Sequence, residues 1–219
     1  MTESEYKPLT KIGIIGDIHA ESSSLLAALE FLQSLKPQII LCVGDIVDGR
    51  ENVDTCCRLL QQYEVVTVRG NHDKWFSANE FRDLSEATLA DDISQDSTNF
   101  IASLPNTSEF NTLAGKLLLC HGLGTNAMAR LFPDDYGYAI ESNWELQEFI
   151  LSRQYSFIIN GHTHRRMVRA FADLTIINAG TLKHEHDPCF AMIDFDEVIV
   201  QFYDIDTDAV IHDGKRYKL

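Results

Sequence analysis

The sequence is poor in positive charge. Its 219 residues contain 18 Lys and Arg against 33 Asp and Glu, which gives a formal net charge of −15. Affinity for an extended nucleic-acid duplex comes largely from neutralising phosphates with Lys and Arg, so the composition argues against such a partner. Bound cations would cancel part of this charge. The remainder favours a small substrate held by local positive charge, or a basic partner.

Long apolar runs and a disulfide pattern are also missing. No apolar stretch approaches the roughly 20 residues needed to span a bilayer, so we expect no membrane association. The N-terminal segment MTESEYKPLTK is polar and lacks the apolar core of a secretion signal, which predicts a cytoplasmic location. The five cysteines are odd in number and include no CxxC pair. Cys42 and Cys120 lie in strand-like runs and are predicted to be reduced core residues.

The apolar residues alternate between strand-like runs and helix-like patterns. Strands are predicted at 11–15, 39–43, 65–68, 116–120 and 157–160, and helices at 22–35, 52–63 and 141–153. Such alternation is typical of right-handed crossovers and a parallel sheet. Residues 22–24 are serines and plausible caps of the first helix. The chain then changes character, with short strands and tight turns predicted at 167–172, 174–178, 189–194 and 198–204.

This pattern predicts one α/β domain over residues 1–219 with a mixed, two-sheet core. At this length one sizeable core is the leading expectation. We expect the segment at about 77–103 to be mostly helical and to fold over the functional site as a cap.

Polar side chains follow five of the strand-like runs, in GDIHA, GDIVDGR, VRGNHDKW, LLLCHGLG and IINGHTHRR. These motifs contain seven metal-competent residues: Asp17, His19, Asp45, Asn71, His121, His162 and His164. Ligands of α/β folds collect beyond the carboxyl ends of the strands. Two carboxylates, one amide oxygen and four imidazoles suit two divalent transition metals. An extended backbone would place both side chains of the DxH pair, and of the HxH pair, on one side.

Taken together, the motifs resemble the calcineurin-like metallophosphoesterase superfamily, whose pattern is DxH, GD, GNH[DE], a later His and GHxH. Every motif is filled between Asp17 and His164. The resemblance implies a four-layer αββα fold, with two mixed sheets packed as a sandwich and flanked by helices. It implies one metal held by Asp17, His19, Asp45 and His164. It implies a second metal held by Asp45, Asn71, His121 and His162, with Asp45 bridging.

The resemblance also implies a reaction, in which a hydroxide bridging the two ions attacks phosphorus and a P–O bond is hydrolysed. His72 would protonate the leaving group or stabilise the transition state, and Asp48 would orient His72. VRGNHD is similar to the RGNH motif of the diadenosine tetraphosphatase and serine/threonine protein phosphatase branch, which makes Arg69 a candidate phosphate ligand. GDIVDGR transposes the last two residues of that branch's GDxVDRG, and Arg50 is a second candidate. Arg69 can equally be a solvated charge, and for Arg50 a surface charge is favoured over a phosphate ligand.

Several alternatives stay open. Phosphomonoester, phosphodiester and nucleotide-type substrates all suit the motifs, and Mn or Fe is expected, with Zn and Ni also compatible. A non-catalytic scaffold of the same fold, binding a protein partner, is the alternative function. It would be indicated by an incomplete ligand set or by a missing GNH histidine, and this chain has neither defect. His184 and His186 in LKHEHDP could bind a third metal or lie in a solvated loop. The sequence does not specify an oligomeric state.

Overall fold

The computed structural model describes residues 7–80 and 82–219; residues 1–6 of the polar N-terminal segment and residue 81 of the predicted cap lie outside the described part. The strands, in chain order, are β1 (Lys11–Ile15), β2 (Ile39–Cys42), β3 (Val66–Thr67), β4 (Thr107–Thr112), β5 (Gly115–Cys120), β6 (Phe157–Asn160), β7 (Met167–Phe171), β8 (Leu174–Asn178), β9 (Cys189–Asp194), β10 (Ile199–Ile205) and β11 (Ile211–Lys218). The α-helices are α1 (Ser22–Ser34), α2 (Val53–Gln62), α3 (Asn71–Ser77), α4 (Gln95–Ser103), α5 (Tyr138–Glu141) and α6 (Trp144–Ser152).

The strands form two mixed sheets. The first has the order β11-β10-β9-β1-β2-β3, with β1, β2 and β3 parallel and β9 antiparallel to β1. The second has the order β4-β5-β6-β8-β7, with β5, β6 and β8 parallel. The parallel strands are joined through helices or long crossovers, and the antiparallel pairs that are consecutive in the chain are joined by tight turns. The antiparallel pair of β1 and β9 instead joins distant parts of the chain.

Alternation of side chains along the central strands creates the layers. Ile12 and Ile14 of β1 pack between the sheets, whereas Ile15 faces the helices on the other side. In β5, Leu117 and Leu119 pack between the sheets and Leu118 points outward. Strands buried on both faces need apolar residues at successive positions, which explains the uninterrupted runs in the sequence.

Helices cover the outer face of each sheet. Side chains of α1, α2 and α4 share one core cluster with the first sheet, and Leu146 of α6 packs against the second sheet with Ile158. The predicted four-layer αββα architecture is therefore confirmed. All five cysteines are buried and free, as predicted for Cys42 and Cys120. None of the described helices is both long and apolar enough to cross a bilayer.

Several local predictions were wrong. Two strands were not predicted, β4 and β11, and each forms an edge of its sheet. Of the described residues in the segment at 77–103, only those of α4, a short 3₁₀ turn (Ala90–Asp92) and Ser77 at the end of α3 are helical. The helix predicted at 141–153 begins later, as α6 at Trp144, and the separate short helix α5 precedes it.

The serines at 22–24 were expected to cap α1, but their side chains do not cap its first turn. Glu51 supplies the acceptor instead, because its carboxylate accepts the Ser22 hydroxyl at 2.9 Å and the Ser23 N–H at 2.7 Å. A carboxylate at the positive end of the helix dipole is favourable. The cap therefore comes from a distant part of the chain, where a local pattern could not reveal it.

We expect Asp194→Asn to lower the free energy of unfolding by about 1 kcal/mol at neutral pH. Asp194 lies 3.0 Å from Lys11 Nζ and accepts the N–H groups of Asp196 and Glu197. Burial opposes its ionisation, but these donors hold the pKa of Asp194 below its ordinary value of 3.8.

This contribution is present above the ordinary pKa and is lost as the pH falls through the lower pKa of the folded state. Urea unfolding of the parent and the variant at several pH values tests it. The difference between them should shrink below about pH 4, and a difference independent of pH would contradict the assignment.

Candidate metal centre

The seven metal-competent residues meet at one edge of the sandwich, where strands of both sheets end. Each follows a strand within a few residues: Asp17 and His19 after β1, Asp45 after β2, Asn71 after β3, His121 after β5, and His162 and His164 after β6. The carboxyl ends of parallel strands lie at the same edge, and the two sheets bring their edges together. The expected convergence is thus observed.

Asp45 is at the centre of this cluster and is almost completely buried. One of its carboxylate oxygens accepts the His72 N–H at 2.9 Å. The other lies 3.3 Å from His121 Nε2 and 3.8 Å from His19 Nε2. Three groups of side chains offer ligand atoms within 4.8 Å of one another, and each includes Asp45: with His19 and His72, with His121 and His162, and with Asp17 and His164.

The hydrogen bonds of two histidines fix which ring nitrogen faces the centre. His121 Nδ1 lies 2.8 Å from the Val43 carbonyl, which can only accept, so this nitrogen carries the proton. In a neutral ring Nε2 then has only a lone pair, yet it faces Asn71 Oδ1 at 2.8 Å and the Asp45 carboxylate. Three acceptor atoms at such distances repel one another unless a cation or a proton lies among them.

His19 is arranged in the same way. Its Nδ1 donates to the Asp48 carbonyl at 3.0 Å, and its Nε2 faces His164 Nε2 at 3.0 Å. Metal-ligating histidines usually donate their second ring nitrogen to a carbonyl or a carboxylate. Both rings therefore present a lone pair as a metal ligand would, and the donor atoms fit divalent cations.

Protons can partly replace such cations. Burial lowers the pKa of His121, but the charge of Asp45 and a hydrogen bond to it raise that pKa to about 10. Burial works against ionisation of Asp45, and His121 nevertheless holds the pKa of Asp45 well below its ordinary value. Asp17 is fully buried, which raises its pKa to about 7, although both of its oxygens accept the His162 N–H at 3.1 Å.

The backbone of the centre is unusual, because five non-glycine residues have positive φ: His19 (47°), Asp45 (49°), Asp48 (66°), His162 (67°) and His164 (57°). Such a conformation is uncommon outside glycine. The expectation that DxH and HxH lie on extended backbone was therefore wrong, because the polar residues occupy tight turns beyond the strand ends.

Two glycines allow these turns to approach closely. A Cβ at Gly70 would overlap the Asp45 carboxylate, and one at Gly161 would overlap Asp17. Asp73 links two of the turns, because its carboxylate accepts the Ile46 N–H at 2.8 Å and the Gly70 N–H at 3.0 Å. Substitution at either glycine would displace a central carboxylate.

His72 and Asp48 form a pair beside the cluster, with 2.7 Å between His72 Nδ1 and Asp48 Oδ2. Asp48 also accepts the Thr88 N–H at 2.8 Å, and Arg82 Nε lies 2.7 Å away as an ion pair. Burial opposes the ionisation of both members. The His72 hydrogen bond lowers the pKa of Asp48, and that of Asp48 raises the pKa of His72. Both shifts favour a carboxylate paired with an imidazolium.

A cavity of about 160 Å³ opens beside His72 and His19. Its other wall consists of residues 84–86 and Lys183. The segment predicted as a helical cap thus reaches the centre, although as a loop. Thr88 holds this loop to Asp48, and Arg82 holds it through the Thr88 carbonyl at 2.7 Å.

Comparison with known proteins shows the family to which the chain belongs. Residues 10–198 match the model of the calcineurin-like phosphoesterase superfamily domain. The chain belongs to the calcineurin-like phosphoesterase superfamily.

Other matches agree on the fold. The uncharacterized protein MJ0912 of Methanocaldococcus jannaschii is 28% identical over 132 residues, which is 56% of this chain and 54% of that protein. The match thus spans about half the length of this relative. A crystal structure of a metallophosphoesterase from Sphaerobacter thermophilus has a TM-score of 0.69 at 19% identity, covering 92% of this chain and 91% of that one. Wild-type Vps29 complexed with Zn²⁺ from Entamoeba histolytica has a TM-score of 0.58 at 17% identity, with 95% and 98% covered.

The two arginines predicted as phosphate ligands have other partners in this superfamily member. Arg69 donates to the Leu104 carbonyl at 2.6 and 3.0 Å and to the Ala102 carbonyl at 3.2 Å. Arg50 is paired with Glu86 and Glu185. Phosphate binding by these arginines stays a prediction, and the contacts of Arg69 support a structural role at the end of α4.

Three residues near the centre were missed, because no motif marks them. Arg130 Nε donates to His162 Nε2 at 3.3 Å. Lys183 lines the small cavity and Arg82 pairs with Asp48, as described above. Each comes from a loop whose position depends on the folded chain. The two loop histidines outside the motifs are also placed: His186 Nδ1 is 2.7 Å from His164 Nδ1, and His184 Nδ1 is 2.9 Å from Glu21.

We expect Mn²⁺ to raise the melting temperature of chelator-treated protein, and His121→Gln to reduce that increase strongly. A cation that binds only the folded state stabilises it by mass action, and His121 supplies a buried lone pair. Thermal unfolding with and without Mn²⁺ measures the shift. His212→Gln is the matched control, because His212 is exposed and pairs with Asp206 away from the centre. Equal shifts in both variants would remove His121 from the ligand set.

We expect Arg69→Gln to lower the free energy of unfolding by about 1.5–3 kcal/mol, the range for hydrogen bonds made by charged groups. The lost contacts are those with the Leu104 and Ala102 carbonyls. Chemical denaturation measures the change. An unchanged stability together with a raised KM for phosphoesters would instead support the predicted phosphate contact.

Proposed function

We propose that this chain is a dinuclear metal-dependent phosphoesterase that hydrolyses P–O bonds of phosphomonoester, phosphodiester or nucleotide-type substrates. The observation that supports this most directly is the convergence of imidazole nitrogens, an amide oxygen and buried carboxylates on Asp45. The superfamily uses divalent metals, and the His and Asp groups can hold them. The seven residues named from the sequence would hold two such ions, with Asp45 between them.

Two divalent cations at this centre would lower the pKa of a water molecule and neutralise phosphoryl oxygens. Mn or Fe suits these ligands, and Zn or Ni is compatible. The chain itself contributes the geometry. Buried hydrogen bonds to Val43 and Asp48 hold the rings of His121 and His19 in one orientation, so little reorganisation is needed when an ion or a phosphate binds.

His72 is the proposed general acid. Its ring lies at the small cavity beside the cluster, and the Asp48 carboxylate holds Nδ1. That contact leaves Nε2 as the nitrogen that can donate a proton to a departing oxygen. Asp48 is in turn held by Thr88 and Arg82. We therefore assign Asp48 the role of positioning His72 and of favouring its protonated form.

Local cations support an anionic substrate. Arg130 is beside His162, and Lys183 is at the cavity wall, where its ammonium group lies 3.3 Å from the Glu86 carboxylate. Both lie close to where a phosphate would contact the metal ligands. They are better placed than Arg69 to receive the phosphate, and they explain how a chain of net charge −15 could bind a small phosphorylated compound.

A protein-binding scaffold of the same fold is the second candidate. The similarity of fold to Vps29 from Entamoeba histolytica supports it. The complete ligand set and the retained His72 favour the enzyme. A metal-loaded protein that cleaves neither p-nitrophenyl phosphate nor bis(p-nitrophenyl) phosphate would favour the scaffold, and the ratio of the two rates separates monoesterase from diesterase activity.

We expect His72→Ala to lower kcat by about 100-fold or more, the usual contribution of a general acid. The bound metal should stay at the parental level, because the proposed ligands are intact. Turnover of p-nitrophenyl esters and elemental analysis of the same samples test both statements. His212→Ala serves as the control for loss of an exposed histidine. Unchanged turnover would exclude His72 as the acid, and loss of metal would make it a ligand.

A further inference from the structure

A cleft of about 670 Å³ lies next to the metal centre. Its lining includes His164 and His186, whose Nδ1 atoms are 2.7 Å apart, and Lys215 and Tyr217 of β11. Its volume falls within the range of sites for small organic ligands, about 300–1,000 Å³. Because His164 belongs to both, a ligand in the cleft can reach the centre.

The cleft carries more positive than negative side chains. Arg165, Arg166 and Lys215 line it, against Asp187 and Asp204. Arg166 is paired with Asp204, so this charge is cancelled. Lys215 has no carboxylate within ion-pair distance in the described part of the chain. Positive charge that is left without a partner is notable in a chain of net charge −15.

Arg165 adds a second cation to this wall. It pairs with Asp134 at 2.9 Å, but both side chains are more than half exposed. An ion pair of this kind contributes little free energy. An anionic group of a ligand can therefore replace Asp134 as the partner of Arg165 at little cost in free energy. Arg165 is thus available to bind such a group.

A β-bulge shapes the part of the cleft that β11 lines. Gln201 pairs with Arg216, but Tyr203 pairs with Asp213, so β11 has one extra residue between these pairs. Gln201 Nε2 donates to the Gly214 carbonyl at 3.1 Å and holds the bulge. Bulges redirect side chains and are common next to active sites.

The bulge includes Gly214 and Lys215, and there is little space for a side chain at Gly214. A Cβ at Gly214 would lie 3.0 Å from the Phe202 carbonyl and from the Asp204 carboxylate. Lys215 and Tyr217 are two residues apart and both line the cleft. The edge of the first sheet thus presents a cation and an aromatic ring together.

We propose that this cleft binds the remainder of a bisphosphorylated substrate of nucleoside size, while its first phosphate lies at the metal centre. Lys215 and Arg165 bind the second phosphate, and Tyr217 packs against the organic part. This inference rests on the proposed function, because it places the reacting phosphate beside His164. It narrows the substrate class to compounds with an anionic group away from the reacting phosphorus.

The test compares adenosine 5′-monophosphate with adenosine 3′,5′-bisphosphate, which differ only in the second phosphate. On Mn²⁺-loaded protein we expect the KM of the bisphosphate to be lower by about threefold or more, as one or two exposed ion pairs would give. Lys215→Gln should reduce this ratio towards one. Lys218→Gln is the matched control, because Lys218 is an exposed lysine of the same strand that does not line the cleft.

Titration calorimetry with both nucleotides on the same proteins separates this inference from the proposed function. The dissociation constants measure nucleotide binding in the cleft even where no nucleotide is hydrolysed. Absence of turnover with every phosphoester would count against the proposed phosphoesterase activity but not against binding in the cleft. Tighter binding of the bisphosphate that Lys215→Gln abolishes supports the cleft. Equal binding of both nucleotides by the parent protein, or equal effects of Lys215→Gln and Lys218→Gln, would overturn it.

Discussion

The buried Asp45 carboxylate is the constraint on which the rest of this structure depends. A charge removed from water needs a compensating partner, yet the nearest side-chain atoms are lone pairs of His121 and His19. The chain has therefore built a centre that is incomplete without added positive charge. A proton on His121 can supply part of this positive charge, in line with the raised pKa of that residue. Bound cations would instead compensate the lone pairs and negative charges of all the ligand atoms.

The cost of this arrangement extends to the backbone. Positive φ at five functional positions is unfavourable by about 1–3 kcal/mol each in general. The turns persist because they connect strands whose side chains fill the core between two sheets. Asp73, which joins the turn after β2 to the start of α3, shows the same principle on a smaller scale. The sandwich thus holds a strained site, and the short motifs follow successive strands because the fold brings the ends of those strands together.

The sequence predicted what depends on local patterns. Buried strands such as β1 and β5 are largely apolar, and the motifs that follow them contain the seven residues that meet at the candidate centre. The edge strands β4 and β11 were not predicted because TSEFNT and IHDGKRYK contain few buried residues and owe their structure to pairing in hairpins. The positions of Arg82, Arg130 and Lys183 near the centre were not predicted for a related reason, since only the folded chain brings their loops there.

An acidic surface is compatible with the anionic substrate proposed above, because the effect of an exposed charge on a ligand falls with the distance between them. At physiological ionic strength, exposed charges separated by more than about 8 Å are largely screened, so most of the 33 acidic residues act weakly on a ligand at the centre. Lys183 and Arg130 lie beside the centre, where screening of a charge from a ligand would be least. A long polyanion must instead approach the acidic surface over many contacts. Under the proposed function, the same composition would therefore permit a small phosphorylated substrate and disfavour a duplex, and the distribution of charge would limit the size of the substrate.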